Sequence, residues 1–213
     1  MTGRAAGGPS DSCCYHSGVA DTQGSAWSGT LRTIFLDRDG VLNEKMPEGS
    51  YVTTWAEFRL LAGAAEAIAR LNRAGLRVIV VSNQRGISLG LYSAADVEGI
   101  QNNLQQLLDS HGAHVDAFYV CPHDKNQCDC RKPLPGMFVQ ARHDFPEIVP
   151  ETSLMVGDSL SDIEFGHWLG MRTVLIEGGP ERRRAGAAEA ARLADRRFGS
   201  LEEAVEWLLD GRN

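Results

Sequence analysis

The chain has 213 residues, 43% hydrophobic and 23% charged, a composition that suits a soluble protein with room for one compact domain. A formal net charge of −7 argues against general nucleic-acid binding, which needs a basic face. It leaves phosphorylated small molecules open, because a metal ion inverts the local field. No apolar run approaches the roughly 20 residues of a membrane span.

Residues 1–29 are rich in Gly, Ser and Ala and have neither helical nor strand period. They are predicted to form a disordered N-terminal extension, leaving 30–213 as the domain. The start lacks a basic segment followed by an apolar one, so a secretory signal is not expected and the protein is placed in the cytoplasm. Cys13-Cys14, beside Tyr15-His16, is too small a motif to define a metal site alone.

Thr33 to Leu36 reads as a buried strand that stops at Asp37-Arg38-Asp39-Gly40. Acids do not belong in a sheet core, and at the carboxyl end of a strand they lie where open α/β sheets bind ligands. Asn43 to Ala56 is a polar connection long enough to lie over a site. Ala64 to Ala74 has helical spacing and stops at Gly75. Arg77 to Val81 is a second apolar strand, closed by Ser82-Asn83-Gln84-Arg85-Gly86. Ser93 is a predicted N-cap for a helix running to about Ser110. Ala117 to Val120 is a third strand, and Pro135-Gly136 opens a helix through about His143. Leu154 to Val156 is a fourth strand ending in Gly157-Asp158, followed by a helix from Asp162 to Leu169. Thr173 to Ile176 is a fifth strand, and Leu201 to Leu209 is a closing amphipathic helix. Alternating strands and helices predict an α/β fold, a parallel sheet with helices on both faces and right-handed crossovers. Asp37, Asp39, Ser82, Asn83 and Asp158 then gather along one edge.

Four segments therefore need a joint explanation: D-R-D-G-V, V-S-N-Q, C-R-K-P-x-P-G and V-G-D-S-L-S-D. Carboxylates brought to one edge repel unless a cation sits among them, and an oxygen-only set suits Mg²⁺. A hydroxyl and a lysine on the same edge supply a donor and a positive charge for a phosphoryl group. Asp162, one turn beyond Asp158, either orients a water or the lysine or caps its helix. By strand alternation Arg38 points away from the acids and serves a structural pairing.

Cys121, His123, Cys128 and Cys130 place three sulfurs and one imidazole within ten residues, at C-x-H-x4-C-x-C spacing. Soft ligands so spaced suit a closed, tetrahedral, structural Zn²⁺ site that positions Arg131 and Lys132. Five cysteines, an odd number, with three so clustered, fit a reducing compartment better than a disulfide framework.

The order of the four segments resembles the haloacid dehalogenase (HAD) superfamily of phosphohydrolases across about residues 32–177. The resemblance implies a Rossmann-like fold in which Asp37 is the nucleophile and forms an aspartyl-phosphate. It implies that Asp39 protonates the leaving group and then activates water. Mg²⁺ would be held by Asp37, the Asp39 main-chain carbonyl and Asp158, and the phosphoryl group by Ser82 and Lys132. The zinc loop narrows the resemblance to small phosphatases of D-glycero-D-manno-heptose 1,7-bisphosphate and the related histidinol-phosphatase domain, both without a large cap domain. Removal of the heptose 7-phosphate would serve ADP- or GDP-heptose synthesis for surface glycans, with histidinol phosphate or another sugar phosphate as the alternative. By that resemblance Asn43 to Tyr51, Asn83, Gln84, Arg85, Gly86 and Arg131 would contact the sugar or its second phosphate, and Ser82 and Lys132 the phosphoryl group that is transferred. Arg85, where relatives carry a small residue, either binds that phosphate or is an exposed loop residue. The expected partner is a small phosphorylated sugar acted on by a monomer, without nucleic acid or membrane. Two competing readings are a receiver-like phospho-accepting domain, against which Asp39 and the zinc loop argue, and a zinc-stabilised binding module with a vestigial site.

Overall fold

Strand β1 (Thr33–Leu36) is buried along its whole length and pairs in parallel with β2 (Arg77–Asn83) on one side and β4 (Ser153–Gly157) on the other. This computed structural model describes residues 27, 31–47, 49–178 and 186–210. Strands β3 (Ala117–Cys121), β5 (Arg172–Ile176) and β6 (Arg196–Phe198) complete a six-stranded parallel sheet in the order β3-β2-β1-β4-β5-β6. The order reverses between β1 and β4, which makes their carboxyl ends the topological switch point where such sheets bind ligands.

The two faces follow from the alternation of side chains along each strand. Ile34 and Leu36, Val78 and Val80, and Leu154 and Val156 point to one face. There they meet Ile68 and Leu71 of α1 (Ala64–Arg73), Ile100 and Leu104 of α2 (Ala94–Asp109), and Leu201 and Val205 of α6 (Leu201–Asp210). Phe35, Ile79, Val81 and Met155 point to the other face. They pack on Met137 and Phe138 of α3 (Gly136–Asp144) and Phe165 of α4 (Leu160–Leu169). Ala190 of α5 (Ala187–Leu193) joins Ile163 and Leu175 in a smaller cluster beside α4. The expected α/β architecture is therefore borne out, with the Ser93 N-cap accepting from the Asp96 main chain.

Two elements, α5 and β6, lie beyond the predicted pattern. β6 reads Arg-Arg-Phe, pairs only with β5 and carries the charge typical of a sheet edge rather than an apolar run. Of the predicted N-terminal extension, Trp27 alone is described; Cys13, Cys14 and the remainder of residues 1–29 lie outside the described residues. The Trp27 ring meets Trp207 edge-on at 5.0 Å between centroids, with the guanidinium groups of Arg172 and Arg196 5.3 and 5.8 Å from its centre. That cluster ties residue 27 to α6, β5 and β6, upstream of the expected domain boundary. Among the described residues no helix is long and apolar enough to cross a membrane.

Phe35 is fully buried and its ring lies 5.8 Å from that of Phe138. Phe35→Ala opens a cavity at the centre of the sheet and is expected to cost about 3–5 kcal/mol, read from the urea midpoint at unchanged slope.

Candidate active site

Asp37 follows the last residue of β1 and is fixed there by its own N–H, which donates to the Val156 carbonyl at 2.9 Å. Asp158 follows β4, and Asp162 sits in the first turn of α4. Carboxylate oxygens of Asp37, Asp158 and Asp162 all lie within 4.8 Å of one another. Gly40 makes this possible: its φ is +100°, and a Cβ there would stand 2.2 Å from Asp158 Oδ2. The loop after β1 thus passes directly over Asp158.

Lys132 is the positive centre of the group. Its ammonium lies 2.7 Å from Asp37 Oδ1 and 2.7 Å from Asp162 Oδ1, and donates to the Val81 carbonyl at 2.6 Å. These three acceptors match its three protons. Burial alone would lower the lysine pKa, but Asp162 and Asp37 outweigh it and raise the value. Asp37 is pushed upward by burial, against Lys132 and with the added repulsion of Asp162 and Asp158. Asp158 is likewise raised by burial, partly offset by Lys45. Asp162 serves both roles left open for it, since it pairs with Lys132 and accepts from the Ser159 main chain and hydroxyl as the capping box of α4.

Asp39 is held by a separate set of donors. The Arg38 guanidinium meets both its oxygens at 2.9 Å, Asn43 Nδ2 donates at 3.0 Å and Gln84 Nε2 at 3.0 Å. Burial works to raise the Asp39 pKa, but the Arg38 charge and these hydrogen bonds win and hold it below the ordinary value. The expectation that Arg38 points away from the acids is corrected here. The strand ends at Leu36, so its alternation no longer governs residue 38.

The remaining residues expected at the site divide into those that line the pocket and those that lie beneath it. The pocket has a volume of about 460 Å³ and is lined by Asp37, Asp39, Asn83, Gln84, Arg85, Arg131 and Lys132, with Lys45, Met46, Pro47 and Tyr51 of the loop after β1. Asn43 is fully buried, its Nδ2 donates to Asp39 and the Glu44 carbonyl, and its Oδ1 has no hydrogen-bond partner among the described residues. Ser82 is buried too, and its Oγ accepts from Gln84 Nε2 at 2.7 Å. Asn83 clamps the main chain of Lys132 from both sides, donating to its carbonyl at 3.2 Å and accepting from its N–H at 3.0 Å. Arg85 lines the pocket while paired with Asp124 at 2.6 Å. Arg131 reaches back to the His123 carbonyl at 3.4 Å.

Two participants, Tyr92 and Asp124, have no counterpart among the expected residues, and a third, Lys45, falls in the Asn43 to Tyr51 stretch expected at the substrate but meets Asp158. Tyr92 donates to Gln84 Oε1 at 2.6 Å, which turns the Gln84 amide so that its nitrogen faces Ser82 and Asp39. Asp124 anchors Arg85. Lys45 lies 2.7 and 2.6 Å from the two oxygens of Asp158. No local motif marks any of them, and each is identified only by its partner across the fold.

The loop after β3 gathers Cys121, His123, Cys128 and Cys130, with ligand atoms within 4.8 Å of one another. Sγ of Cys121 stands 3.5 Å from that of Cys128 and 3.0 Å from that of Cys130, and His123 Nδ1 lies 3.3 Å from Cys130 Sγ. A tetrahedral shell with metal–sulfur bonds near 2.3 Å has edges of about 3.8 Å, so the four atoms are spaced for one ion. All three cysteines are free, and burial pushes the Cys121 and Cys130 thiols up. Gly136 seats α3 against this loop, where a Cβ would meet Cys130 Cα at 2.7 Å.

A parallel sheet whose switch point carries this set of carboxylates defines a hydrolase of the HAD class, and a family model described as HAD-hydrolase-like matches residues 129–204. A D-glycero-alpha-D-manno-heptose-1,7-bisphosphate 7-phosphatase of Mycobacterium bovis is 40% identical, covering 87% of this chain and 93% of its own length. The D-glycero-beta-D-manno-heptose-1,7-bisphosphate 7-phosphatase of Vibrio cholerae is 35% identical over 83% of this chain and 95% of its own. The crystal structure of D,D-heptose 1,7-bisphosphate phosphatase from B. bronchiseptica, complexed with magnesium and phosphate, superposes with a TM-score of 0.74. It is 31% identical and covers 84% of this chain and 99% of that one. The chain belongs to the heptose-1,7-bisphosphate 7-phosphatase family of HAD hydrolases, and it is a phosphoric monoester hydrolase.

Arg38 is 2% exposed and Asp39 about a quarter exposed in its side chain. Arg38→Met leaves the Asp39 carboxylate without its charge partner. A fully buried pair broken this way costs about 3–5 kcal/mol; with one partner partly solvated, about 2–3 kcal/mol is expected by urea denaturation.

Proposed function

We propose that this phosphatase removes the 7-phosphate of D-glycero-D-manno-heptose 1,7-bisphosphate through an aspartyl-phosphate formed on Asp37. The observation that carries the reading is the meeting of Asp37 and Asp162 on Lys132, with an Asp158 carboxylate oxygen within 4.8 Å of theirs, beside a pocket that Lys45, Arg85 and Arg131 also line. Asp37 attacks phosphorus as its bond to the sugar oxygen breaks, and Asp39 gives a proton to that oxygen. Asp39, again a carboxylate, then takes a proton from the water that cleaves the acyl phosphate. Arg38, Asn43 and Gln84 favour the carboxylate form needed in the second half. The phosphate charge of an entering substrate raises its proton affinity for the first. Lys132 holds positive charge beside the transferring group, and Ser82, whose oxygen already accepts from Gln84, keeps its own proton to donate.

The donor chemistry fits Mg²⁺, with Asp37 and Asp158 offering hard oxygens from adjacent strand ends and the Asp39 carbonyl a third. When bound, Mg²⁺ supplies the charge that keeps these buried carboxylates ionised and shields them from the phosphate. Zn²⁺ held by Cys121, His123, Cys128 and Cys130 would serve structurally, stiffening the loop that carries Arg131 and Lys132. Arg85 and Arg131 supply positive charge for a second phosphate on the sugar. One chain contains every residue invoked, which supports action as a monomer, and the free cysteines support a reducing, cytoplasmic setting.

Phosphate release measured with Mg²⁺ on both anomers of heptose 1,7-bisphosphate and on histidinol phosphate tests the substrate. The bisphosphate is expected to lead in kcat/KM by about 10²-fold, roughly the worth of two charge-assisted hydrogen bonds to the second phosphate. Preference for histidinol phosphate would overturn the assignment. Asp37→Asn is expected to lower kcat by more than about 10³-fold with the fold retained. Cys128→Ser is expected to bind less than one zinc per chain by elemental analysis. Its Tm should fall by more than the roughly 2–4 °C that 1 kcal/mol shifts in a domain of this size. Full zinc content in that variant would refute the ligand set.

A further inference from the structure

Two ammonium groups face the clustered carboxylates, and they are held differently. Lys132 is 1% exposed in its side chain and has each proton matched to an acceptor: Asp37, Asp162 and the Val81 carbonyl. It is a fixed part of the floor. Lys45 rises from the loop after β1, has 21% of its side chain exposed and lines the pocket with Arg85 and Arg131. Its ammonium is set on both oxygens of Asp158, at 2.7 and 2.6 Å.

Those two oxygens are the ones Asp158 has to offer a divalent ion. A hard cation coordinates carboxylate oxygen at about 2.0–2.1 Å, and an ammonium on the same small group would be repelled by it. Lys45 and the ion therefore compete for one carboxylate. The loser is the group with an alternative, and a long side chain at a pocket wall has one in any phosphate that enters.

We propose that Lys45 is a placeholder cation. It neutralises Asp158 in the metal-free protein, yields that carboxylate to Mg²⁺, and then turns its ammonium to the phosphorylated substrate. The inference rests on the reading of Asp158 as a Mg²⁺ ligand. It makes metal and phosphate binding mutually reinforcing, because phosphate draws Lys45 off the carboxylate the ion needs and the ion frees Lys45 for the phosphate. Such coupling is reciprocal by thermodynamic necessity.

Calorimetric titration with Mg²⁺, alone and with saturating inorganic phosphate, tests this without turnover. In the wild type, phosphate is expected to tighten Mg²⁺ binding about five- to tenfold, within the usual range of coupling between sites. Lys45→Met and Lys45→Gln should bind Mg²⁺ alone about five- to tenfold more tightly than the wild type, and should show a smaller phosphate effect, the remainder being the direct attraction between phosphate and the ion. Lys45→Arg, which keeps the competing charge, should behave as the wild type. Unchanged or weaker Mg²⁺ binding in both neutral variants, or an undiminished phosphate effect, would overturn the placeholder while leaving the metal site standing. Absence of Mg²⁺ binding by the wild type would remove the metal site and the inference with it. Asp158→Asn, expected to lose Mg²⁺ binding whichever residue occupies position 45, locates the ion.

Discussion

The structure depends on a charge problem at the ends of two adjacent strands. Two carboxylates 4.8 Å apart repel by about 3 kcal/mol even at an effective dielectric near 20, and here three crowd within that distance. Lys132 is the permanent answer. It approaches from a different part of the chain, is buried with the acids it balances, and takes its third acceptor from the β2 main chain. Much of the architecture around the pocket can be understood as holding that one ammonium in place. Asn83 grips its peptide from both sides, and α3 begins immediately behind the cysteine loop, where only a glycine fits.

The pocket floor thus contains two electrostatic units. One is Asp37, Asp162 and Lys132, with Asp158 beside it. The other is Asp39 with Arg38, Asn43 and Gln84, steadied in turn by Tyr92. Their opposite effects on the two acids follow from composition. Burial works to raise both; Lys132 and Lys45 do not offset it at Asp37, which also faces Asp162 and Asp158, whereas the Arg38 guanidinium and the hydrogen bonds of Asn43 and Gln84 bring Asp39 down. Two carboxyl groups two residues apart thereby hold protons with different ease, in the order opposite to the one the proposed roles need, which a cation beside Asp37 and a phosphate beside Asp39 would invert.

The sheet was legible because each inner strand is an apolar run that stops abruptly at polar residues, a pattern set within a few neighbouring positions. Strand β6 was not, since Arg-Arg-Phe at a sheet edge carries no such run. The same distinction separates the site residues whose geometry was foreseen from those whose partners were not. Asp37 and Asp158 could be brought together from strand order alone. That Asn83 would hold the Lys132 peptide, 49 positions away, or that Lys45 would cover Asp158, 113 positions away, depends on contacts across the fold that spacing does not encode. Asn43 shows what a motif leaves out: the resemblance that places it at the substrate does not reveal that it is buried with its Nδ2 on Asp39.

That partition bears on how specificity can vary within such a site. The residues that set the charge of the floor are buried and mutually committed, so a change at any one of them leaves a charge or a donor unpaired, at a cost of about 1–3 kcal/mol or more. The groups that line the pocket wall, Lys45, Arg85 and Arg131, come from three different loops, those after β1, β2 and β3. Arg85 is anchored to Asp124 of the cysteine loop, so one wall of the pocket is tied to that loop as well as to the sheet. A metal that stiffens the loop would therefore act on which phosphorylated molecule fits without touching the atoms that react. The strand ends and Lys132 hold the balanced charges, whereas Arg85 and Arg131 stand outside that balance, on Asp124 and the His123 carbonyl.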